Sequence, residues 1–229
     1  MLSNIIVAID GPSASGKSTV SKRVAQELAF TYVDSGSLYR GMTWKAIREG
    51  VDVRNALAVV ELMNRMKLEF FVDHRVVYFT MDGEDPGQQI RSEPVRESVS
   101  DVAAIPEVRA FISNQLRDMV QFGNIVMEGR DIGTVVFPTT PFKFYLDASP
   151  EVRAQRRFNE LAPVEGVKDV GVVRSSLARR DQKDSTRPTA PLQIALGATV
   201  IDSTSMTIDD VVAGIVANVR AAGGCGDGT

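Results

Sequence analysis

The chain carries one cysteine, one histidine and one tryptophan in 229 residues, and the first two scarcities each close off a class of chemistry. A lone thiol, Cys225, can form no internal disulfide, so a secreted disulfide framework is not expected. It lies in Gly223-Gly224-Cys225-Gly226, with no neighbour to activate it, and a functional thiol is not expected there. With His74 as the sole histidine, a Ser/His/Asp triad is implausible; His74 falls between two β-rich runs, where a turn residue is expected rather than a base. No apolar run approaches the roughly 20 residues that span a bilayer. The first ten residues lack the charged start and long apolar stretch of a signal peptide. A cytoplasmic protein with no membrane partner is therefore expected. The formal charge of −3 lacks the basic excess of a dedicated nucleic-acid binder. There are no internal repeats, and low complexity is confined to the tail.

What is present alternates between short apolar runs and helical patterns, the signature of an α/β chain with a mostly parallel sheet. Ile5-Ile6-Val7-Ala8-Ile9 is continuously apolar, as a strand covered on both faces should be. Residues 17–29 then place Val20, Val24 and Leu28 on one helical face. Further strands are read at Phe30–Val33, Ile125–Met127, Phe142–Leu146 and Thr199–Ile201. Ser149 and Pro150 cap and open one helix, and Ile208, Val211, Ile215 and Val219 line another. Two stretches break the alternation. Residues 67–85 read as a small antiparallel insert, and residues 161–173, rich in Pro, Gly and Val, as a mobile loop.

The segment Gly11-Pro12-Ser13-Ala14-Ser15-Gly16-Lys17-Ser18-Thr19 matches G-x-x-x-x-G-K-[ST], with a strand before it and a helix after it. Glycines let successive backbone N–H groups converge on phosphate oxygens, at the positive end of a helix. Lys17 supplies a mobile charge for the β- and γ-phosphates, and Ser18 a hydroxyl for Mg²⁺. The acidic partner of such loops follows a second buried strand, which singles out Glu128 as a Mg²⁺ holder acting through water. Arginines gather along the same edge: Arg40, Arg109, Arg130, Arg153, Arg156, Arg157, Arg180 and Arg187. In a chain of net negative charge, such a gathering suits two phosphorylated substrates whose anionic tails repel. Phosphoryl transfer needs positioning and charge neutralisation rather than a triad, and a lid that excludes water. Residues 161–173, bracketed by arginines, are expected to form that lid and to stay open by mutual repulsion until phosphates arrive.

Taken together, several motifs resemble the bacterial cytidylate kinases, within the P-loop nucleoside monophosphate kinases, over residues 4–220. They are Ile9-Asp10-Gly11-Pro12-Ser13 with Gly16-Lys17-Ser18-Thr19, Asp34-Ser35-Gly36 with Tyr39-Arg40, and Val99-Ser100 with Pro106-Glu107-Val108-Arg109. The run from Gly129-Arg130-Asp131 through Ile132-Gly133-Thr134 to Pro138, and Arg180-Asp181 with Asp184 and Arg187, complete the match. The resemblance implies a P-loop kinase fold in a single domain: a five-stranded parallel sheet flanked by helices, with a core at about 1–35, 95–150 and 190–220. It also implies a monophosphate-binding insert at about 36–94, a lid at about 151–187 and a flexible tail at 221–229. It implies Mg²⁺-assisted transfer of the γ-phosphate of ATP to CMP or dCMP by a monomer acting on small molecules, without nucleic acid. Carried over by position, Arg40, Arg130 and Arg187 hold the CMP phosphate with Ser35, while Ser100, Arg109 and Asp131 read the cytosine edge. Arg180 and Asp184 reach the sugar, and Arg153 and Arg157 serve ATP beside residues 11–19. Lys17, Arg130, Arg157 and Arg187 are the catalytic set, with Ser18 and Glu128 toward the metal.

Three departures from the family pattern stand out. Ala14 occupies a frequent glycine position, which the loop tolerates if its φ is negative. Glu128 stands where aspartate is common, and the lid segment diverges. A switch GTPase is the rival class outside kinases, but neither D-x-x-G nor [NT]-K-x-D occurs in the chain. A kinase for UMP, AMP or shikimate remains an alternative; a non-catalytic binding module would not need both anionic clamps.

Overall fold

The computed structural model describes residues 4–166 and 168–223. The strands are β1 Ile6–Asp10, β2 Thr31–Asp34, β3 Leu68–Asp73, β4 Val76–Met81, β5 Ile125–Gly129, β6 Phe142–Asp147 and β7 Thr199–Asp202. The helices are α1 Lys17–Leu28, α2 Ser35–Arg48, α3 Ala56–Arg65, α4 Glu93–Val102, α5 Pro106–Asp118, α6 Pro150–Glu165, α7 Val170–Thr186 and α8 Ile208–Gly223. No helix among the described residues is long and apolar enough to cross a membrane.

The sheet runs β3-β4-β2-β5-β1-β6-β7, seven strands rather than the five expected. The five from β2 to β7 are parallel, as anticipated. The extra two are the antiparallel insert, which joins the sheet instead of standing apart. Its β4 lies beside β2 through the pair Tyr32–Val76, and the Tyr32 N–H donates to the Arg75 carbonyl at 2.8 Å. His74 and Arg75 form the two-residue hairpin turn, both at positive φ (45° and 61°), the geometry that suits the right-handed twist of its strands. The His74 side chain is 94% exposed, so it is a turn residue as read from the sequence.

Central strands buried on both faces separate two apolar layers. On one face α1 and α8 close over Val7, Ile9, Val126 and Phe144 through Val20, Val24, Val211 and Ile215. On the other, α2 to α5 pack Met42, Leu62, Val99 and Ile112 against Ala8, Val33 and Met127. Helix α8 continues to Gly223, so the first three residues of the expected tail are helical; the rest, with Cys225, lie outside the described residues.

The expected loop at 161–173 is instead mostly helix. Residues 161–165 finish α6, with Pro163 in its last turn, and α7 begins at Val170. The apolar residues that looked aperiodic there belong to two different helices. Val173 is buried with Leu177 and Ala154, and Phe158 and Ala14 pack against them. A small core of its own thus orders the segment and seats it on the phosphate loop. The Ser149 hydroxyl accepts the Val152 N–H at 3.3 Å, ahead of Pro150, as the sequence indicated.

Candidate active site

The C-terminal ends of β1, β2 and β5 converge where α1 begins. Between β1 and α1 the chain wraps the loop Gly11–Gly16. Gly11, at φ 152°, has no room for a side chain, since a Cβ there would lie 2.1 Å from the Leu146 carbonyl oxygen. Ala14 sits at φ 60°, so the negative φ that would make it free of strain is not met. That left-handed conformation costs an L-residue roughly 1–2 kcal/mol, offset by its methyl packing into the α6–α7 core.

Lys17, the first residue of α1, folds back so that its Nζ donates to the Pro12 carbonyl at 2.6 Å and the Ser15 hydroxyl at 3.3 Å. Burial, then the charge of Arg130, depresses its ammonium to about 7. At the end of β5, buried Glu128 accepts a hydrogen bond from the Tyr32 hydroxyl, and the nearby Ser18 hydroxyl favours its ionised form. Burial, and then Asp34, raises the Glu128 carboxyl above its ordinary value. Ser35 donates to the Glu128 carbonyl at 2.6 Å. Asp34 caps α2 through the Ser37 N–H at 3.1 Å and holds Arg40 at 2.7 Å. Burial alone would raise Asp34, but Arg40 and Arg91 together hold it below its ordinary value.

The turn after β5 carries the densest charge. Arg130 donates from Nε to Asp184 at 3.0 Å and from its two terminal nitrogens to the Ser13 hydroxyl at 2.9 Å and the Gly129 carbonyl at 3.3 Å. Asp131 pairs with Arg109 of α5 at 2.5 Å, and both side chains are buried. Arg109 also donates to the Ala103 carbonyl at 3.0 Å and lies over the Tyr39 ring, 5.1 Å from its centroid. Arg187 stands 3.9 Å from Asp131 and 3.8 Å from Asp184. Ser100 is half-buried on α4. A cavity of about 250 Å³ opens beside Arg109, lined also by Ser113, Asn114, Arg117 and Thr189.

Arg40 Nε, Arg109 Nε, Arg180 Nε and Arg187 Nη2 are buried without a hydrogen-bond partner. All four belong to the arginines assigned from sequence to the monophosphate. Burial, then Arg130, lowers Arg180 to about 10, and burial, then Arg109, lowers Arg187. Like charges crowded together with orphan donors form a site that an anion would complete.

Helix α6 meets the loop differently from the expectation. Arg153 donates to the Ser13 carbonyl at 3.2 Å and pairs with Asp181, whereas Arg157 turns to Glu160 at 2.7 Å. Arg156, given no role from sequence, donates to the Ser15 carbonyl at 3.2 Å and to Ser203 at 3.1 and 2.8 Å. The arginines do not hold the lid away by repulsion, because Asp181, Asp184 and Glu160 interleave with them. Asp10, Tyr32, Asp34 and Asp181 were also missed. Asp10, Asp34 and Asp181 stand inside the motif strings, and that placement was the available signal; Tyr32 had none.

The Ser18 hydroxyl and the Glu128 carboxylate are oxygen donors of the kind that suits a hard divalent cation. No cluster of three or more His, Cys, Asp or Glu ready to hold a metal occurs among the described residues. A divalent cation bound at such a site completes its shell with nucleotide oxygens and water.

The family model of cytidylate kinase matches residues 7–221. A cytidylate kinase of Mycobacterium leprae is 41% identical over 224 residues, covering 97% of this chain and 99% of that one. Another, of Pelotomaculum thermopropionicum, is 42% identical over 217 residues, covering 94% and 96%. Among solved structures, an uncharacterised protein from Eubacterium ventriosum superposes with a TM-score of 0.52 at 12% identity, over 95% of this chain and 99% of that one, a likeness of fold alone.

Proposed function

Since the chain belongs to the cytidylate kinase family, we propose how its residues divide the work of a (d)CMP kinase. The enzyme transfers the γ-phosphate of ATP to CMP or dCMP, giving ADP and CDP or dCDP. The observation that carries the assignment of parts is the set of four arginines, Arg40, Arg109, Arg180 and Arg187, each with a buried nitrogen that has no hydrogen-bond partner.

The N–H groups of Gly11–Thr19 and Lys17 take the β- and γ-phosphates of ATP. Arg40, Arg130 and Arg187, with Ser35, take the acceptor phosphate. Arg180 and Asp184 approach the sugar, and Ser100, Arg109 and Asp131 face the base. Lys17, Arg130 and Arg187 neutralise charge on the moving phosphoryl group, joined by Arg157 once it leaves Glu160, while Arg153 serves the ATP side. Helices α6 and α7 exclude water, so that the acceptor phosphate is the nucleophile available. Ser18 and Glu128 would hold Mg²⁺ entering with ATP; when bound, it neutralises the β/γ-phosphate oxygens. Glu128 is kept in place by the hydroxyl of Tyr32. The protein acts in the cytoplasm as a monomer, on small molecules.

Measuring ADP release with CMP, dCMP, UMP, AMP and shikimate as acceptors tests the substrate class. CMP and dCMP should dominate; a preference for any of the others would overturn the reading. Lys17→Met should lower turnover about a thousandfold with the fold retained. Near-normal turnover in that variant would remove Lys17 from the catalytic set.

A further inference from the structure

Asp10 has no part in the chemistry above, yet only 4% of it is exposed. It ends β1, immediately before Gly11. Its carboxylate accepts two consecutive backbone N–H groups, Ile132 at 2.9 Å and Gly133 at 2.8 Å, one on each oxygen. Those amides open the π-helical turn Ile132–Val136, directly after Asp131. The turn itself binds the other side of the same residue: the N–H groups of Val135 and Val136 donate to the Asp131 carbonyl at 2.9 and 3.2 Å. The backbone of Asp131 is thus clamped from both directions, and its side chain ends on Arg109.

A buried carboxylate is an expensive way to satisfy two amides. Burial raises Asp10 to about 6; the Gly133 and Ile132 N–H groups oppose that rise, Asp131 adds to it and Lys17 counters it. What a carboxylate provides, and a hydroxyl does not, is two charge-assisted bonds that fix the turn in rotation as well as position. Rotation of that turn decides where the Asp131 carboxylate points.

We propose that Asp10 is a positioning residue for base selection: by gripping the amides of Ile132 and Gly133 it keeps the Asp131 carboxylate facing both Arg109 and the exocyclic amine of cytosine. This rests on reading Asp131 as the cytosine-facing carboxylate. Asp10 touches no substrate. An asparagine at this position keeps one acceptor but turns an NH₂ group against the other amide, which rotates the turn. CMP then loses its matched pairing, while UMP, which never had it, loses little.

The test compares kcat/KM for CMP and UMP in the wild type, Asp10→Asn and Asp131→Ala. Asp131→Ala should lower the CMP-to-UMP ratio about a hundredfold, and Asp10→Asn about tenfold, mainly through the KM for CMP. The KM for ATP should change less than that for CMP in Asp10→Asn, because both hydrogen bonds of the Asp10 carboxylate go to the turn after Asp131 and only its charge reaches Lys17. An unchanged ratio in Asp10→Asn beside a lowered one in Asp131→Ala overturns the positioning role and leaves the base-reading role standing. An unchanged ratio in Asp131→Ala overturns the base-reading role, and the inference with it. A KM for ATP that rises in step with that for CMP would mean general loosening and would also overturn it. Should Asp10→Asn not fold, residue-resolved hydrogen exchange on the wild type decides: slow exchange at the Ile132 and Gly133 amides supports the clamp, and exchange as fast as at exposed loops refutes it.

Discussion

Asp181 of α7 accepts the backbone N–H of Ser13 at 3.1 Å, so the helix that follows the lid turn closes directly on the phosphate loop. The other Asp181 oxygen is taken by Arg153 of α6, which in turn donates to the Ser13 carbonyl at 3.2 Å. Three segments far apart in sequence thereby share one ring of charge-assisted bonds. Asp181→Ala should break the ring and leave Arg153 half-buried without its carboxylate. Losing such a bond costs about 1.5–3 kcal/mol, so amides in α6 and α7 should exchange roughly ten- to a hundredfold faster. Hydrogen exchange resolved along the two helices checks this, and unchanged protection would show that the apolar contacts of Val173 and Leu177 suffice.

Lys17 gives a proton-linked prediction. Its ammonium is depressed to about 7 by burial and by Arg130, so the unfolded chain binds the proton more tightly. Between about pH 7 and the ordinary lysine value of 10.5, the unfolded state carries more protons, and stability rises with pH through that window. Polyphosphate laid against Lys17 reverses the depression. At pH 8, binding of a non-hydrolysable ATP analogue should take up somewhat under one proton. Calorimetry in buffers of different ionisation enthalpy measures the uptake directly; Lys17→Met should abolish it. Uptake that survives the substitution would assign the proton elsewhere.

The parallel strands and the phosphate loop were legible because each is a local property: continuous apolar runs mark buried strands, and glycine spacing marks the loop. The arginines, spread from Arg40 to Arg187, were grouped through the motifs in which they stand. The antiparallel insert was legible too, but not its joining the sheet, because whether that hairpin pairs with the core depends on Tyr32 meeting Val76, a contact outside either segment's pattern. The lid failed as a loop for a related reason. Proline and glycine there signal an interruption, but the burial of Val173 with Ala154 and Leu177 that orders the helices is tertiary. Two carboxylates were undervalued: a cluster of arginines announces an anion, while Asp34 and Asp181, which pair with Arg40 and Arg153, were given no role of their own. Arg156 and Arg157 are neighbours in sequence, and only packing decides which of them faces the loop.

Ala14→Gly sets opposed effects against one another. Relief of the left-handed conformation is worth roughly 1–2 kcal/mol. Against it stand the loss of a half-buried methyl, at most about 0.8 kcal/mol, and the added chain entropy of glycine, about 0.5–1 kcal/mol. The sum is close to zero, so chemical denaturation should find stability changed by less than about 1 kcal/mol. The local effect should be larger than the global one, because the methyl is the loop's contact with the α6–α7 core. Faster exchange in those helices at unchanged global stability is the expected signature. A loss above about 2 kcal/mol would mean that the methyl's packing outweighs the backbone strain.

Arg130 offers the test that separates phosphate holding from base reading. Its guanidinium bonds Asp184, the Ser13 hydroxyl and the Gly129 carbonyl at once, in three directions from one plane. Asp184 raises its pKa against the effect of burial, with Asp181 adding to the rise, so the charge is permanent. Arg130→Lys keeps that charge but replaces a rigid fork with one ammonium on a flexible stem. An ammonium near Asp184 cannot also reach Ser13 with the same geometry, and the acceptor phosphate then meets a misplaced donor. Loss of one oriented, charge-bearing donor of this kind lowers kcat/KM by about a hundredfold. Because every nucleoside monophosphate carries the same phosphate, the fall should be equal for CMP and UMP. Their ratio should stay at the wild-type value while both rates drop, the reverse of the pattern expected for Asp131→Ala. Steady-state kinetics with the two acceptors decides it. If Arg130→Lys shifts the ratio as much as it lowers the rates, Arg130 senses the base, and the division of labour between these adjacent residues is wrong.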